Sequence, residues 1–377
     1  MTVSGQAEMM TVIPLVDVRA AHAEVAAEIQ AGFDEVMGSA AFVKGEGAAA
    51  FEREYAAFTG VAHCVGVANC TDALELALRA AEVPAGAEVI MPANTFVATA
   101  EAVVRAGARP AFADVDPDHL LLDPGSLQAA LSQQTGAVIP VHLFGQMAPM
   151  MAVADVTAQR GTVIIEDAAQ AHGATQAGRP AGSSGLLAGV SFYPGKNLGA
   201  YGDAGAVLTG SAEHARRVRL LGDHGSERRY EHLTIGFNSR LDTLQAVVLR
   251  AKLRGLAAGN RARRQAAGRY TELLADVPEV ILPRTAPGNE HVWHLYTIRV
   301  PRRDEVLRGL HEEGIGAGIH YPVPVHLQPA FRHLGHGPGD FPIAEAAARQ
   351  LLSLPLYPQI TREQQVRVAD AVRRALT

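Results

Sequence analysis

Lysine is almost missing from this chain. Lysine and arginine together number 33 in 377 residues, yet only Lys44, Lys196 and Lys252 are lysines. Chemistry that needs a primary amine therefore has three places to happen. Cysteine is as scarce. Cys64 and Cys70 exclude a disulfide framework and disfavour a zinc site, and beside a predicted strand they read as small buried thiols. There is no basic block, and the net charge of −6 argues against a nucleic-acid binder. The arginines between Arg261 and Arg264 are few and at helical spacing, so a solvated face accounts for them. No apolar run reaches membrane-spanning length, and the opening MTVSGQAEMM has no charged-then-apolar leader, so a soluble, cytoplasmic protein is expected. Internal repeats and low-complexity segments are missing too. The remainder is ordinary globular composition, 48% hydrophobic and 19% charged, in a chain long enough for two domains.

The first half alternates short apolar runs with amphipathic stretches. Strands are predicted at 63–69, 88–92, 109–115, 137–143 and 162–167, and helices at 71–81, 95–107, 124–132 and 147–160. Such alternation implies right-handed crossovers and a mostly parallel sheet covered on both faces, with ligands bound beyond the carboxyl ends of the strands. A long helical pattern from Leu241 to Leu274 carries glycines at 255, 259 and 268 as candidate interruptions. Beyond it, strands at 292–300 and 315–321 bracket a helix at 303–313, and helices fit 342–352 and 361–376. We therefore expect an α/β protein with a large domain over 1–255 and a smaller α+β domain over 256–377. LGHGPGDFP (334–342) reads as a loop.

The three lysines differ in setting. Lys252 lies in an arginine-studded helical stretch, where a solvated face explains it, and Lys44 lies in an early loop. Lys196 is enclosed by Gly195, Gly199, Gly202 and Gly205 in SFYPGKNLGAYGDAG, with Tyr193 and Tyr201 on either side. Upstream, VIIEDAAQAHGA is an apolar run that ends in Glu166 and Asp167, the pattern of a buried strand delivering a carboxylate at its end. A lysine able to form a Schiff base, with a buried aspartate able to pair with a pyridine nitrogen, is what pyridoxal phosphate chemistry needs. Asp167 has a blander reading as a helix cap, but a buried carboxylate needs a partner or it neutralises, and a pyridinium is such a partner. The helix opening at NCTDALELAL offers free amides for a phosphate, though Asn69 or Thr71 could be a plain N-cap. Ser191, five residues before Lys196, places a hydroxyl for the same phosphate. Gln170 is near enough in sequence to reach a ring hydroxyl, and Phe96 either fills core or stacks on the ring.

The histidine pairs His291/His294 and His333/His336 have no acidic or cysteine companion at ligand spacing, so structural or surface roles are expected and no metal. His320 and His326 lie in GIHYPVPVHLQPAF, a proline-stiffened loop suited to recognising a hydroxylated ligand, or else a packed connection. GKNLGAYG is no P-loop, because Asn follows the lysine.

Taken together, NCTDALELAL, PANTFVATAEAVV, IPVHLFGQ, EDAAQAHGA, SFYPGKNLGAYGDAGAVLTG, GFNSRLDTLQA and IHYPVPVHLQPAF resemble, in order, the motifs of the DegT/DnrJ/EryC1/StrS family of pyridoxal phosphate-dependent sugar aminotransferases. The likeness runs from IPLVD to LSLPLYP. It implies fold type I of the pyridoxal phosphate-dependent transferases. It also implies Lys196 as the Schiff-base lysine, Asp167 as the pyridinium partner, Gln170 near the ring hydroxyl and Phe96 on the ring. The phosphate would lie around Thr71, Asp72 and Ser191, with Asn238 reaching in from a second subunit, which requires a homodimer. IHYPVPVHLQPAF looks like the branch acting on 3-keto nucleotide sugars, where the positions of Tyr193, His320, Tyr321 and His326 face the sugar. Arg229 falls where the branch commonly has a lysine, as a diphosphate contact. The implied reaction moves an amino group from L-glutamate to C3 of a nucleotide-linked keto-deoxyhexose, a dTDP sugar in preference to a UDP sugar. A 4-keto sugar aminotransferase and a non-catalytic cofactor-binding regulator are the alternatives. Related dehydratases replace the Schiff-base lysine, which Lys196 argues against. The chain departs from the usual pattern at Gly222-Asp223 and at Ala204.

Overall fold

The structure is a computed structural model that describes residues 12–158 and 160–377. The expectation drawn from MTVSGQAEMM lies outside the described residues. Seven strands build the central sheet: β1 (His63–Val67), β2 (Glu88–Pro92), β3 (Arg109–Ala113), β4 (Thr135–Val138), β5 (Val163–Asp167), β6 (Leu187–Ser191) and β7 (Gly205–Thr209). Their order is β1-β7-β6-β5-β4-β2-β3. Only β7 runs against its neighbours; the pairs from β6 through β5, β4 and β2 to β3 are all parallel. Every residue of β6 (LAGVS) and β7 (GAVLT) is buried, as expected of strands covered on both faces, which cannot show an alternating pattern.

The helix Cys70–Ala80 covers the sheet above β6 and β7, with seven of its eleven residues buried. Two glycines permit the approach. A Cβ on Gly189 would come within 2.7 Å of Leu74, and one on Gly205 within 2.5 Å of the Asn69 carbonyl. Any side chain at Gly205 would therefore push the start of β7 away from the start of this helix.

Four sequence expectations change. The apolar run at 137–143 ends as a strand at Val138; Pro140 has no N–H for a ladder, and the chain enters a 3₁₀ turn over Leu143–Gly145. Residues 315–321 form no strand; their backbone ladder contacts are isolated bridges, Ile13 with Ile315 and Gly318 with Ser353. The helix predicted over 342–352 stops at Gln350, and Leu351–Leu354 forms a strand paired antiparallel with Tyr296–Arg299. The long helix, Thr243–Leu274, passes straight through its three glycines.

A second core gathers around that antiparallel pair and the helices Arg303–Glu312 and Arg362–Leu376, including Tyr270, Leu274, Tyr296, Leu310 and Val372, with Ile13 from the other end of the chain. The first half of the long helix packs instead into the core under β6 and β7, through Ala246, Leu249, Leu253 and Leu256. One rigid element thus serves both cores.

Candidate active site

Asp167 is the last residue of β5, and Ser191 the last of β6. Both open into a cavity of about 560 Å³ that also takes in Asn69, Cys70, Thr71, Phe96, Gln170, Tyr193, Lys196, His294, His320 and Tyr321. The parallel sheet thus presents its ligand space beyond its carboxyl ends.

Lys196 sits in the turn after β6, its backbone N–H bonded to the Tyr193 carbonyl at 2.8 Å. Burial pulls the pKa of its ammonium down, so the neutral amine is more accessible there than on a surface lysine. Asp167 accepts from the Thr99 hydroxyl at 2.8 Å and from the Ala169 amide at 3.1 Å. Its pKa is nonetheless raised, because desolvation outweighs these bonds and the nearby charges of Lys196 and His142. No salt bridge to Asp167 occurs among the described residues. A cationic ring nitrogen would supply the missing partner. The segment after Asp167 is a series of turns and not a helix, so the capping alternative for this carboxylate falls.

Gln170 is oriented on both sides. Its Oε1 accepts from the Phe144 amide at 2.7 Å, and its Nε2 donates to the Tyr321 hydroxyl at 3.1 Å. Phe96 is half exposed and lies 5.1 Å from the Tyr321 ring, so it forms cavity wall and not core. At the start of the Cys70–Ala80 helix, Asn69 caps the Asp72 amide at 2.8 Å. The Cys70 and Thr71 amides precede any intrahelical carbonyl, and both residues line the cavity together with Ser191. Dipole, free amides and two hydroxyls suit a phosphate. Pyridoxal phosphate therefore fits: a seat for its phosphate, an anion for its nitrogen, an aromatic wall and an amine are all in one cavity.

Other expected residues lie elsewhere. The Asp72 carboxylate turns away to Ser239 at 2.8 Å and Arg105 at 2.9 Å. His326 is buried 3.2 Å from Glu345, packed on Phe341 and outside the cavity lining. Arg229 is exposed on a hairpin turn, its guanidinium 4.9 Å from the Tyr230 ring centre. Asn238 is exposed, accepts from Arg240 at 2.6 Å, and borders a surface hollow that shares Asp203 with the cavity. Asp223, one of the departures from the family pattern, pairs with Arg240 at 3.1 Å and with Lys44.

Two basic residues correct the expectation of solvated faces. Arg263 is buried and donates to the Leu356 and Trp293 carbonyls. Lys252 donates to the Gly199 carbonyl at 2.7 Å, sits 4.3 Å from the Tyr201 ring centre, and has its pKa drawn down to about 8 by burial. Sequence reasoning also missed Thr99 and His294. Thr99 lies in the first turn of the helix Val97–Arg105, its hydroxyl 2.7 Å from that of Thr95, which precedes the helix. His294, expected in a structural or surface role, instead lines the cavity.

The sheet topology and this cavity define a fold type I enzyme dependent on pyridoxal phosphate. The chain belongs to the DegT/DnrJ/EryC1/StrS aminotransferase family, whose pattern it matches over residues 23–373. It is 45% identical over 96% of its length to the dTDP-3-amino-3,4,6-trideoxy-alpha-D-glucose transaminase of Streptomyces venezuelae, covering 95% of that protein. It is 46% identical to the UDP-N-acetyl-3-dehydro-alpha-D-glucosamine 3-aminotransferase of Acidithiobacillus ferrooxidans, over 97% and 98% of the two chains. It is 44% identical to the pleiotropic regulatory protein of Geobacillus stearothermophilus, over 96% and 97%. Among solved structures, S. venezuelae DesV in complex with a ketimine intermediate superposes with a TM-score of 0.94 at 45% identity, over 96% of this chain and 98% of that one. No helix among the described residues is long and apolar enough to cross a membrane.

Proposed function

We propose that the protein is a homodimeric aminotransferase that moves an amino group from L-glutamate to C3 of a nucleotide-linked keto-deoxyhexose, a dTDP sugar in preference to a UDP sugar. One observation carries this reading. A single cavity joins the amine of Lys196 and the carboxylate of Asp167 to a wall of phenols and imidazoles, Tyr193, His320 and Tyr321, suited to a hydroxylated substrate. Relatives named as 3-amino-sugar transaminases support the regiochemistry, and they include both dTDP and UDP sugars.

Pyridoxal phosphate, when bound, supplies the electron sink that makes the Cα proton of an amino acid removable. Lys196 holds and returns that proton at its Nζ, a task served by the lowered pKa that burial gives it. Asp167 keeps the ring nitrogen protonated, with Thr99 and the Ala169 amide fixing the carboxylate in place. Thr71, Ser191 and the helix start would hold the phosphate, Phe96 would supply the aromatic wall for the ring, and Gln170 would address its hydroxyl. Asn238 serves the site of a partner subunit.

Purified protein incubated with glutamate and a panel of 3-keto and 4-keto sugar nucleotides should yield 3-amino products, identified by mass and NMR. Lys196→Ala should lose turnover and the visible absorbance of the bound cofactor together. Preferential conversion of 4-keto sugars would overturn the regiochemistry. Cofactor binding without amino transfer to any sugar would favour a regulator, as one relative is named.

A further inference from the structure

His294 is buried, lines the cavity, and has no part in the assignments above. A chain of amide contacts behind it decides which of its nitrogens carries the proton. The chain starts at the His172 carbonyl, which can only accept. Asn260 Nδ2 donates to it at 2.8 Å, so the Asn260 end nearer Asn197 is its oxygen. Asn197 Nδ2 donates to that oxygen at 3.0 Å and to the Val292 carbonyl at 3.0 Å. Asn197 therefore turns its own Oδ1 to His294 Nδ1, 3.3 Å away. An amide oxygen cannot donate, so Nδ1 must hold the proton.

The imidazole also stays neutral. Burial is the main cause, and the charges of Lys196 and Arg263 push in the same direction. A neutral ring with its proton on Nδ1 keeps a lone pair on Nε2, and Nε2 has no hydrogen bond among the described residues. The protein thus holds an uncharged acceptor in the wall of the cavity. Such a group repels a carboxylate and suits a hydroxyl, which separates a sugar from a dicarboxylic amino donor. His320, on the same cavity, bonds a Ser353 hydroxyl that can donate or accept, so its tautomer is not fixed in this way.

We propose that His294 Nε2 accepts a hydrogen bond from a hydroxyl of the keto sugar, and that Asn197 and Asn260 are positioning residues that set its tautomer. This rests on the sugar-nucleotide reading above for the identity of the ligand, while the tautomer stands on the geometry alone.

Two measurements on the holoenzyme test it. In protein labelled with ¹⁵N-histidine, His294 should show the Nδ1–H tautomer, and Asn260→Leu should populate the other. In kinetics, His294→Leu should raise the KM for the keto sugar about tenfold, with a much smaller effect on the glutamate half-reaction followed by cofactor absorbance. His294→Gln, which keeps an acceptor near the position of Nε2, should recover part of that loss, and Asn260→Leu should raise the sugar KM about threefold with kcat less affected. An Nε2–H tautomer in the wild type overturns the relay. Equal slowing of both half-reactions in the His294 variants overturns the hydroxyl contact. A wild type that aminates no sugar nucleotide, yet shows the Nδ1–H tautomer, overturns the substrate reading and the hydroxyl contact, and leaves the relay supported.

Discussion

Glu166 and Asp167 are neighbours on β5 with opposite fates, because successive side chains on a strand point to opposite faces. Glu166 meets His142 at 2.7 Å and the amides of Gly182, Ser184 and Gly185. Burial alone would raise its pKa, but these bonds hold it below the ordinary carboxylate range. Asp167 has fewer partners and its pKa is raised, which leaves it free for a ligand cation. The run VIIED announced a strand delivering carboxylates, and the glycine-framed Lys196 announced an amine. The His142 bonds, which set Glu166 apart from Asp167, come from a turn 24 residues earlier and had no signature. Asp167→Ala should lower kcat by about a thousandfold, equivalent to about 4 kcal/mol of barrier. Cofactor affinity should fall far less, since the phosphate seat is untouched. Steady-state rates beside a cofactor titration check this, and near-normal rates would reduce Asp167 to a structural role.

At the scale of elements, the long helix grips the loop that carries Lys196. Gln245 Oε1 accepts from the Tyr201 amide at 2.8 Å, and Lys252 meets the Gly199 carbonyl and the Tyr201 ring from two turns further along. His22, in the short helix Val18–Ala23, closes on the Tyr201 hydroxyl at 2.5 Å. Helical periodicity made the long helix legible, and its glycines were no obstacle, because packing from both cores outweighs the roughly 1 kcal/mol that each costs relative to alanine. The grip itself was illegible, since a lysine among arginines reads as solvated until the loop lies against it. The same limit hid the strand Leu351–Leu354: an apolar run directly after a helix has no period of its own, and only pairing with Tyr296–Arg299 decides its state. Lys252→Met keeps the length of the stem and removes the charge and the hydrogen bond. It should cost about 1–2 kcal/mol of stability and increase protease cleavage within 197–203, measured by thermal unfolding and limited proteolysis. An unchanged melting temperature and cleavage pattern would show that the loop holds without the helix.

At the scale of the whole molecule, the described chain leaves large apolar side chains exposed outside the cavity lining. Tyr230, Leu233 and Ile235 are 81%, 55% and 92% exposed, in the segment between the helix Ala212–Gly222 and Asn238, and Phe42, Val43 and Met37 are exposed as well. Surfaces of this kind mark interfaces more often than free monomer faces. Backbone pairing of Asp223 with Asn238 ties this segment to the ion pairs of Lys44 and Arg240. Asn238 is thereby held at the surface, outside the cavity of its own chain, where a two-fold partner could receive it. Periodicity in a single sequence cannot show such a role, which came to Asn238 from the family resemblance alone; on the proposed dimer it is an exposed loop position that would serve the other subunit. Ile235→Arg places a charge in the middle of the apolar segment, at a residue outside the cavity lining. Light scattering should show the proposed dimer weakened, and the cofactor should dissociate more readily from the variant as protein concentration falls. Asn238→Asp should instead preserve the dimer and weaken cofactor binding, by setting a carboxylate against the partner's phosphate. If the Ile235 variant were monomeric yet held its cofactor and turned over normally, each chain would carry a complete site and Asn238 would have no partner to serve.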